Sequence, residues 1–296
     1  MSSLLPPSRI AAIHDLSCLG RCALTVIMPT LSVMGYQVVP VPTALLSTHT
    51  GGFTNLHFHD LTSDMEQITN HFSQLNTTFR AIYTGFLGSA EQIESVTRFI
   101  DRFGSTPDES GEKPLILIDP VMGDDGVLYS TYTNELMRGM RRLSRLATLL
   151  TPNLTEACFL TETPYRDTAK MSEAEALAFA DQLLDHLSKI TPERIVITGI
   201  PLESAQVANV GLDRDGTRFC IKRPHEGCSY PGTGDVFASV LLGSLLQGNG
   251  FLEASAAAAD FTGDVIRSSA LIPTEPRYGV ALEPHLSKLI RSTERN

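Results

Sequence analysis

Residues 229–237 read Ser229-Tyr230-Pro231-Gly232-Thr233-Gly234-Asp235-Val236-Phe237, and a mostly apolar run follows at once. The apolar residues at 236, 237, 240, 241 and 245 recur with helical spacing, so the glycines stand at a helix N-terminus. Free N–H groups and the helix dipole attract phosphate there. Gly232 and Gly234 let an anion approach the main chain, and Pro231 fixes the entry angle. Asp235 falls in the first turn. A carboxylate at that place either caps the helix or accepts a proton from a hydroxyl as phosphoryl transfer begins. Spacing alone leaves both readings open.

Working outward, short apolar runs alternate with longer amphipathic ones. Strands are expected at 9–14, 37–41, 81–84, 114–118, 147–150 and 194–198. Helices are expected at 21–34, 61–72 (with Thr62 as cap), 90–103, 133–146, 172–187, after Asp235, at 252–267 and at 283–290. Ser172 and Glu175 have capping-box spacing. Residues 207–212 and 218–222, split by a polar turn, predict an antiparallel hairpin. Continuous apolar strands alternating with helices indicate a mostly parallel sheet covered on both faces, in a single domain spanning 1–296 with flexible ends at 1–8 and 291–296. Ligands of such sheets bind beyond the carboxyl ends of the strands.

Four expected strand ends carry polar groups: Asp15, Asp119-Pro-Val-Met-Gly-Asp124, Thr151-Pro-Asn-Leu-Thr-Glu156, and Thr198-Gly199. Asp119, Asp124 and Glu156 on one edge suit Mg²⁺ held mostly through waters and phosphate oxygens; turn chemistry is the alternative. There is no GxxxxGK[ST] loop, no GxSxG and no HExxH, and Phe237 stands where a dinucleotide fingerprint needs glycine.

The 296 residues are 42% hydrophobic, enough for a large core. The net charge of −10 argues against a nucleic-acid partner. Arg138, Arg141, Arg142 and Arg145 have helical spacing and read as a solvated helix face. No apolar run reaches the roughly 18–20 residues of a bilayer span, and the N-terminus lacks a secretory pattern. Five scattered cysteines (18, 22, 158, 220, 228) suit free thiols in a reducing compartment. Cys18 and Cys22 lack two further ligands, so zinc is not expected. A soluble, cytoplasmic protein without a membrane partner is the expectation.

Taken together, GTGD (232–235), DPVMGD (119–124), TPNLTEA (151–157) and ITG (197–199) resemble the pyridoxal kinase group of the ribokinase superfamily. AIHDLSCLGRCALTVIMPTLSVMG (12–35), LSTHTGG (46–52) and TEPRYGV (274–280) extend the resemblance over about residues 9–290. It implies a ribokinase-like three-layer α/β/α fold, commonly a homodimer, that phosphorylates the 5′-hydroxymethyl group of a B6 vitamer with ATP and Mg²⁺, often helped by K⁺. By the same resemblance Asp235 matches the catalytic base, and Gly232, Thr233 and Gly234 the anion hole. Asp119, Thr151, Asn153, Thr198 and Gly199, with Gly232 and Gly234, match the ATP site. Asp119, Asp124 and Glu156 match the metal cluster. Asp15, Leu19, Ser47, His49, Thr50 and Phe86, with Asp235, match the vitamer site.

Two positions depart from the pattern. Asp15 stands where many relatives have Ser, and Phe86 where others have Tyr; both bear on which ring is bound. A carboxylate near a pyridinium nitrogen would favour the protonated ring. Cys228 is either a thiol placed to add to the pyridoxal aldehyde or an incidental loop cysteine. The alternative enzyme is a hydroxymethylpyrimidine kinase, whose substrate also carries a CH₂OH arm on a nitrogen ring. The alternative of another class is a non-catalytic ligand-binding regulator, against which Asp235 and the acidic cluster argue.

Overall fold

The computed structural model describes residues 7–130, 132–191, 193–227 and 229–290; Cys228 and most of the two chain ends lie outside these. In chain order the elements are β1 (Arg9–Leu19), α1 (Leu24–Val33), β2 (Gln37–Thr48), β3 (Phe58–Asp60), α2 (Thr62–Gln74), β4 (Ala81–Thr84), α3 (Ala90–Phe103), β5 (Leu115–Ile118), β6 (Gly123–Asp124), β7 (Val127–Leu128), α4 (Asn134–Leu143), β8 (Leu149–Leu150), α5 (Leu154–Leu160), α6 (Glu173–Leu187), β9 (Arg194–Leu202), β10 (Gln206–Leu212), β11 (Arg218–Pro224), α7 (Thr233–Leu246) and α8 (Phe251–Ser269).

Nine strands form one sheet in the order β11-β10-β9-β8-β5-β4-β1-β2-β3. The pairs from β9 through β8, β5, β4 and β1 to β2 are parallel. The outer strands β3, β10 and β11 run antiparallel. From β1 the chain steps to β2 on one side and later to β4 on the other, so a crevice opens at the carboxyl end of β1.

Strand alternation divides the core. Ala11 and Ile13 of β1 pack with α2–α6, while Ile10 and Ala12 pack with α1, α7 and α8. Helix α3 buries Ile93, Val96, Phe99, Ile100 and Phe103 on one stripe and is capped by Ser89, which accepts from the Gln92 N–H at 3.2 Å. Helix α7 is buried from Val236 to Ser244, which explains an apolar sequence on nearly every side. The hairpin β10–β11 and the Ser172–Glu175 capping box form as their patterns predict. The basic run lies on α4, where Arg142 pairs with Glu94 at 3.2 Å and Arg141 with Glu162 at 2.5 Å.

Several expectations are corrected. The first strand does not end at His14. It continues to Leu19 because β2 keeps pairing with it, past an irregularity between His14 and Leu16. Strand β2 likewise runs past the expected end at residue 41 to Thr48, and so takes in Ser47. The first helix starts only at Leu24, leaving Arg21–Ala23 outside it. Thr62 does not cap α2; Asp60 accepts the Thr62 N–H at 2.9 Å. Residues 283–289 form a 3₁₀ helix. The short strands β3, β6 and β7 and helix α5 are further elements beyond those expected. Among the described residues no helix is long and apolar enough to cross a membrane.

Candidate active site

Three parallel strands, β4, β5 and β8, finish level with one another, while β9 pairs beside them and runs on to Leu202. Thr84 pairs with Ile118, Ile118 with Leu150, and Leu150 with Ile195. Asp119 and Thr151 therefore follow side by side, and Asn153 bridges to Thr198. This edge faces the N-terminus of α7.

At that N-terminus Gly232 is the N-cap, with φ of +85°. A Cβ there would lie 2.2 Å from the Arg21 carbonyl oxygen, so both conformation and space demand glycine. Glycine has no side chain to cap α7, and the first-turn N–H groups lack helical partners. Asp235 does not cap the helix either. Its Oδ2 accepts the N–H of Ala23 at 2.8 Å, across 212 residues of sequence. Loss of water around the carboxylate raises its pKa to about 7; the Ala23 N–H opposes this, and the charge of Asp15 adds to it. A carboxylate so placed is partly protonated at neutral pH and suited to take a hydroxyl proton.

Asp15 occupies the irregular position of β1, buried, with its Oδ2 accepting from the Ser17 hydroxyl at 2.8 Å. Burial raises its pKa as well. Strands β1 and β2 pair as far as Leu19 and Thr48, which brings exposed Leu19 beside the 47–53 segment. Phe86 is half-buried just past β4. Thr50 is exposed. Ser47 accepts the His57 N–H at 2.9 Å, a strand-closing contact.

His49 is buried with both ring nitrogens engaged. The Gly51 N–H meets Nδ1 at 3.1 Å, leaving the proton on Nε2, which donates to the Arg277 carbonyl at 2.6 Å. The resemblance places His49 beside the vitamer; in this structure both of its ring nitrogens meet main-chain atoms of the protein.

The acidic cluster is less uniform than its spacing suggested. Asp119 is buried; desolvation, and then the charge of Asp235, hold its pKa well above the usual range. Glu156 is also buried, with its pKa raised by desolvation and by Asp119. Its carboxylate accepts the N–H of Asn153 at 2.8 Å and of Met122 at 3.1 Å. The Asn153 amide returns the capping box to Glu156 N–H at 2.9 Å and donates to the Gly123 carbonyl at 2.8 Å. Asp124 is exposed at the β6–β7 turn, where it accepts the Asp125 N–H at 3.0 Å. Among the described residues no three His, Cys, Asp or Glu side chains converge into a metal site of their own. The carboxyl oxygens fit a hard cation shared with water and phosphate, since positive charge would offset the desolvation, and then the mutual repulsion, that raise Asp119 and Glu156.

Three participants escaped the sequence reading. The Ala23 N–H is a main-chain donor and leaves no side-chain signal. Asn209, buried in β10, accepts the Gly199 N–H at 3.1 Å and so pins the left-handed Gly199 of β9; it stands as a lone amide inside Val-Ala-Asn-Val-Gly. Cys22 lies close enough to Asp15 and Asp235 for their charges, after desolvation, to raise its thiol pKa. Cys18, Cys22, Cys158 and Cys220 are free thiols.

Comparison with known proteins follows the same lines. Residues 24–277 match the phosphomethylpyrimidine kinase family. A structure from Bacteroides thetaiotaomicron, described as a phosphomethylpyrimidine kinase in a form with pyridoxal, is 37% identical, with a TM-score of 0.86 and 98% of each chain covered. Pyridoxal kinase from Lactobacillus plantarum is 28% identical, with a TM-score of 0.83, over 95% of this chain and 96% of that one. Pyridoxal kinase PdxY of Pasteurella multocida is 31% identical over 195 residues, 63% of this chain and 62% of that protein, less than two thirds of its length.

Proposed function

Because this chain belongs to the phosphomethylpyrimidine kinase family, we propose that it transfers the γ-phosphoryl group of ATP to the 5′-hydroxymethyl group of pyridoxal, pyridoxine or pyridoxamine. The carrying observation is Asp235, held by the Ala23 N–H at 2.8 Å in the first turn of a helix capped only by glycine. The N–H groups of 232–235 accommodate the transferring phosphoryl group. Asp235 takes the hydroxyl proton as the hydroxyl oxygen bonds to phosphorus and the bond to the ADP oxygen breaks. Asp15, Leu19, Thr50 and Phe86 line the ring side. Asp119, Thr151, Asn153, Thr198 and Gly199 line the nucleotide side. Asp119, Asp124 and Glu156 would hold Mg²⁺, which supplies charge neutralisation on the phosphates when bound. The relative crystallised with pyridoxal supports the choice of ring. A cytoplasmic homodimer belongs to the same reading; exposed Leu45 and Phe58 on neighbouring β2 and β3 offer an apolar edge for a second copy.

The family description favours one second reading, phosphorylation of hydroxymethylpyrimidine. A coupled ADP-release screen with pyridoxal, pyridoxine, pyridoxamine and hydroxymethylpyrimidine decides, run with Mg²⁺ in K⁺ and in Na⁺ buffers. Release driven by a vitamer is the expected result. Release driven by the pyrimidine alone would replace the substrate, and vitamer binding without ADP release would overturn the kinase.

A further inference from the structure

The segment Glu275–Gly279 touches both the vitamer side and the base side of the site. Toward the vitamer side, the Arg277 carbonyl accepts from His49 at 2.6 Å, and the Arg277 guanidinium donates to the Gly52 carbonyl at 3.3 Å. That guanidinium also lies 5.0 Å from the Phe53 ring and 5.6 Å from the Tyr278 ring, and Phe53 meets Tyr278 edge-on at 5.5 Å. Toward the base side, the Tyr278 carbonyl accepts the Arg21 N–H at 3.1 Å, and Arg21 pairs with Glu283 at 2.7 Å. Gly279, with φ of +78°, bridges to Arg21; a Cβ there would meet the Arg21 carbonyl oxygen at 2.6 Å. Two residues further on, Ala23 holds φ of +48° and donates to Asp235. A non-glycine residue in that conformation persists only where its surroundings enforce it.

We propose that Glu275–Gly279 is a strap that couples the 49–53 loop to the base: His49 latches the loop to it, and through Arg21 it aims the Ala23 N–H at Asp235. His49 is thus a positioning residue and not a substrate contact. The proposal rests on the kinase reading above. Its consequence is that loosening either end of the strap misplaces the same carboxylate.

A double-mutant cycle on kcat tests this at saturating ATP and pyridoxal, with His49→Leu at the loop end and Gly279→Ala at the base end. Each single variant is expected to lose about 10–100-fold in kcat, in the range of misplaced catalytic groups. The double variant should be no slower than the slower single. His49→Gln, which keeps an N–H donor, should recover most of the rate. Losses that multiply, or a His49→Leu effect confined to the pyridoxal KM, overturn the strap. Where Gly279→Ala melts well below the wild type, Arg21→Ala replaces it in the cycle. Wild-type turnover is measured first: its absence would refute the kinase reading, whereas turnover with independent losses refutes only the strap.

Discussion

Glu156 and Asp235 occupy the same place in two helices, the third residue of α5 and of α7, and have opposite surroundings. Helix α5 begins at Asn153, whose side chain accepts the Glu156 N–H while Glu156 reaches back to the Asn153 N–H. Helix α7 begins at Gly232, which has no side chain to offer. Asp235 turns away from its own helix and takes, among the described residues, one hydrogen bond from the distant Ala23. A glycine N-cap alone does not decide this, because Glu253, third in α8 behind Gly250, still reaches back to the Gly250 N–H at 2.9 Å; the shorter Asp235 is held instead by the Ala23 N–H.

The largest effect should come from breaking the reactive member. Asp235→Asn is expected to lower kcat by about 10²–10⁴-fold, the usual contribution of a general base. It should also stabilise the fold. With a folded pKa of about 7 against 3.8 unfolded, the protein holds a proton there that the unfolded chain releases. The wild type thus loses stability as pH rises from about 4 to 7, by up to about 4 kcal/mol before solvent at the half-open site reduces it. Melting curves should place Asp235→Asn above the wild type at pH 8 and level with it below pH 4. In the wild type, kcat/KM should fall about tenfold per pH unit below about 7, as the base becomes protonated. A flat profile from pH 5 to 8 would remove Asp235 as the base.

The architectural member should fail differently. Glu156→Ala orphans the N–H groups of Asn153 and Met122. A cost of about 2 kcal/mol and a melting point lower by several degrees are expected. A variant that melts like the wild type and loses only activity would make Glu156 another reactive acid.

How far the sequence reaches follows from the same pair. The parallel sheet, the β10–β11 hairpin and the amphipathic α3 and α6 were legible because each depends on its own spacing. The glycines of 232–235 announced a helix start for the same reason. The partner of Asp235 was not legible, because it is a main-chain N–H 212 residues away, set by how Arg21–Ala23 leads into α1. The partners of His49 were not legible either, because both are backbone atoms, one of them at Arg277. Polar spacing identifies which side chains reach an edge, not which of them are already spoken for.

Asp15 should give a smaller effect than either helix acid. Asp15→Asn keeps the size and a polar group that can meet Ser17 while removing the charge. A pyridoxal KM higher by about tenfold with kcat nearly kept is expected, one charge-assisted contact in size. Unchanged saturation curves would place the ring elsewhere.

The smallest effect should come from Asp124, and it probes the acidic edge itself. Its side chain is exposed at the β6–β7 turn and accepts only the N–H of its neighbour Asp125 among the described residues. Asp124→Asn keeps an oxygen for that contact, so the unfolding free energy should stay within about 0.5 kcal/mol of the wild type. Charge is what the substitution removes. If Asp124 helps hold Mg²⁺ through water, the Mg²⁺ concentration for half-maximal rate should rise about two- to fivefold while kcat at saturating Mg²⁺ stays level, because a water-separated charge contributes modestly. An unchanged Mg²⁺ titration would confine the metal to Asp119 and Glu156. Glu156 would then serve both as cap and as cation neighbour, and the contrast between the two helix acids would narrow to whether the second role falls on phosphate or on a hydroxyl.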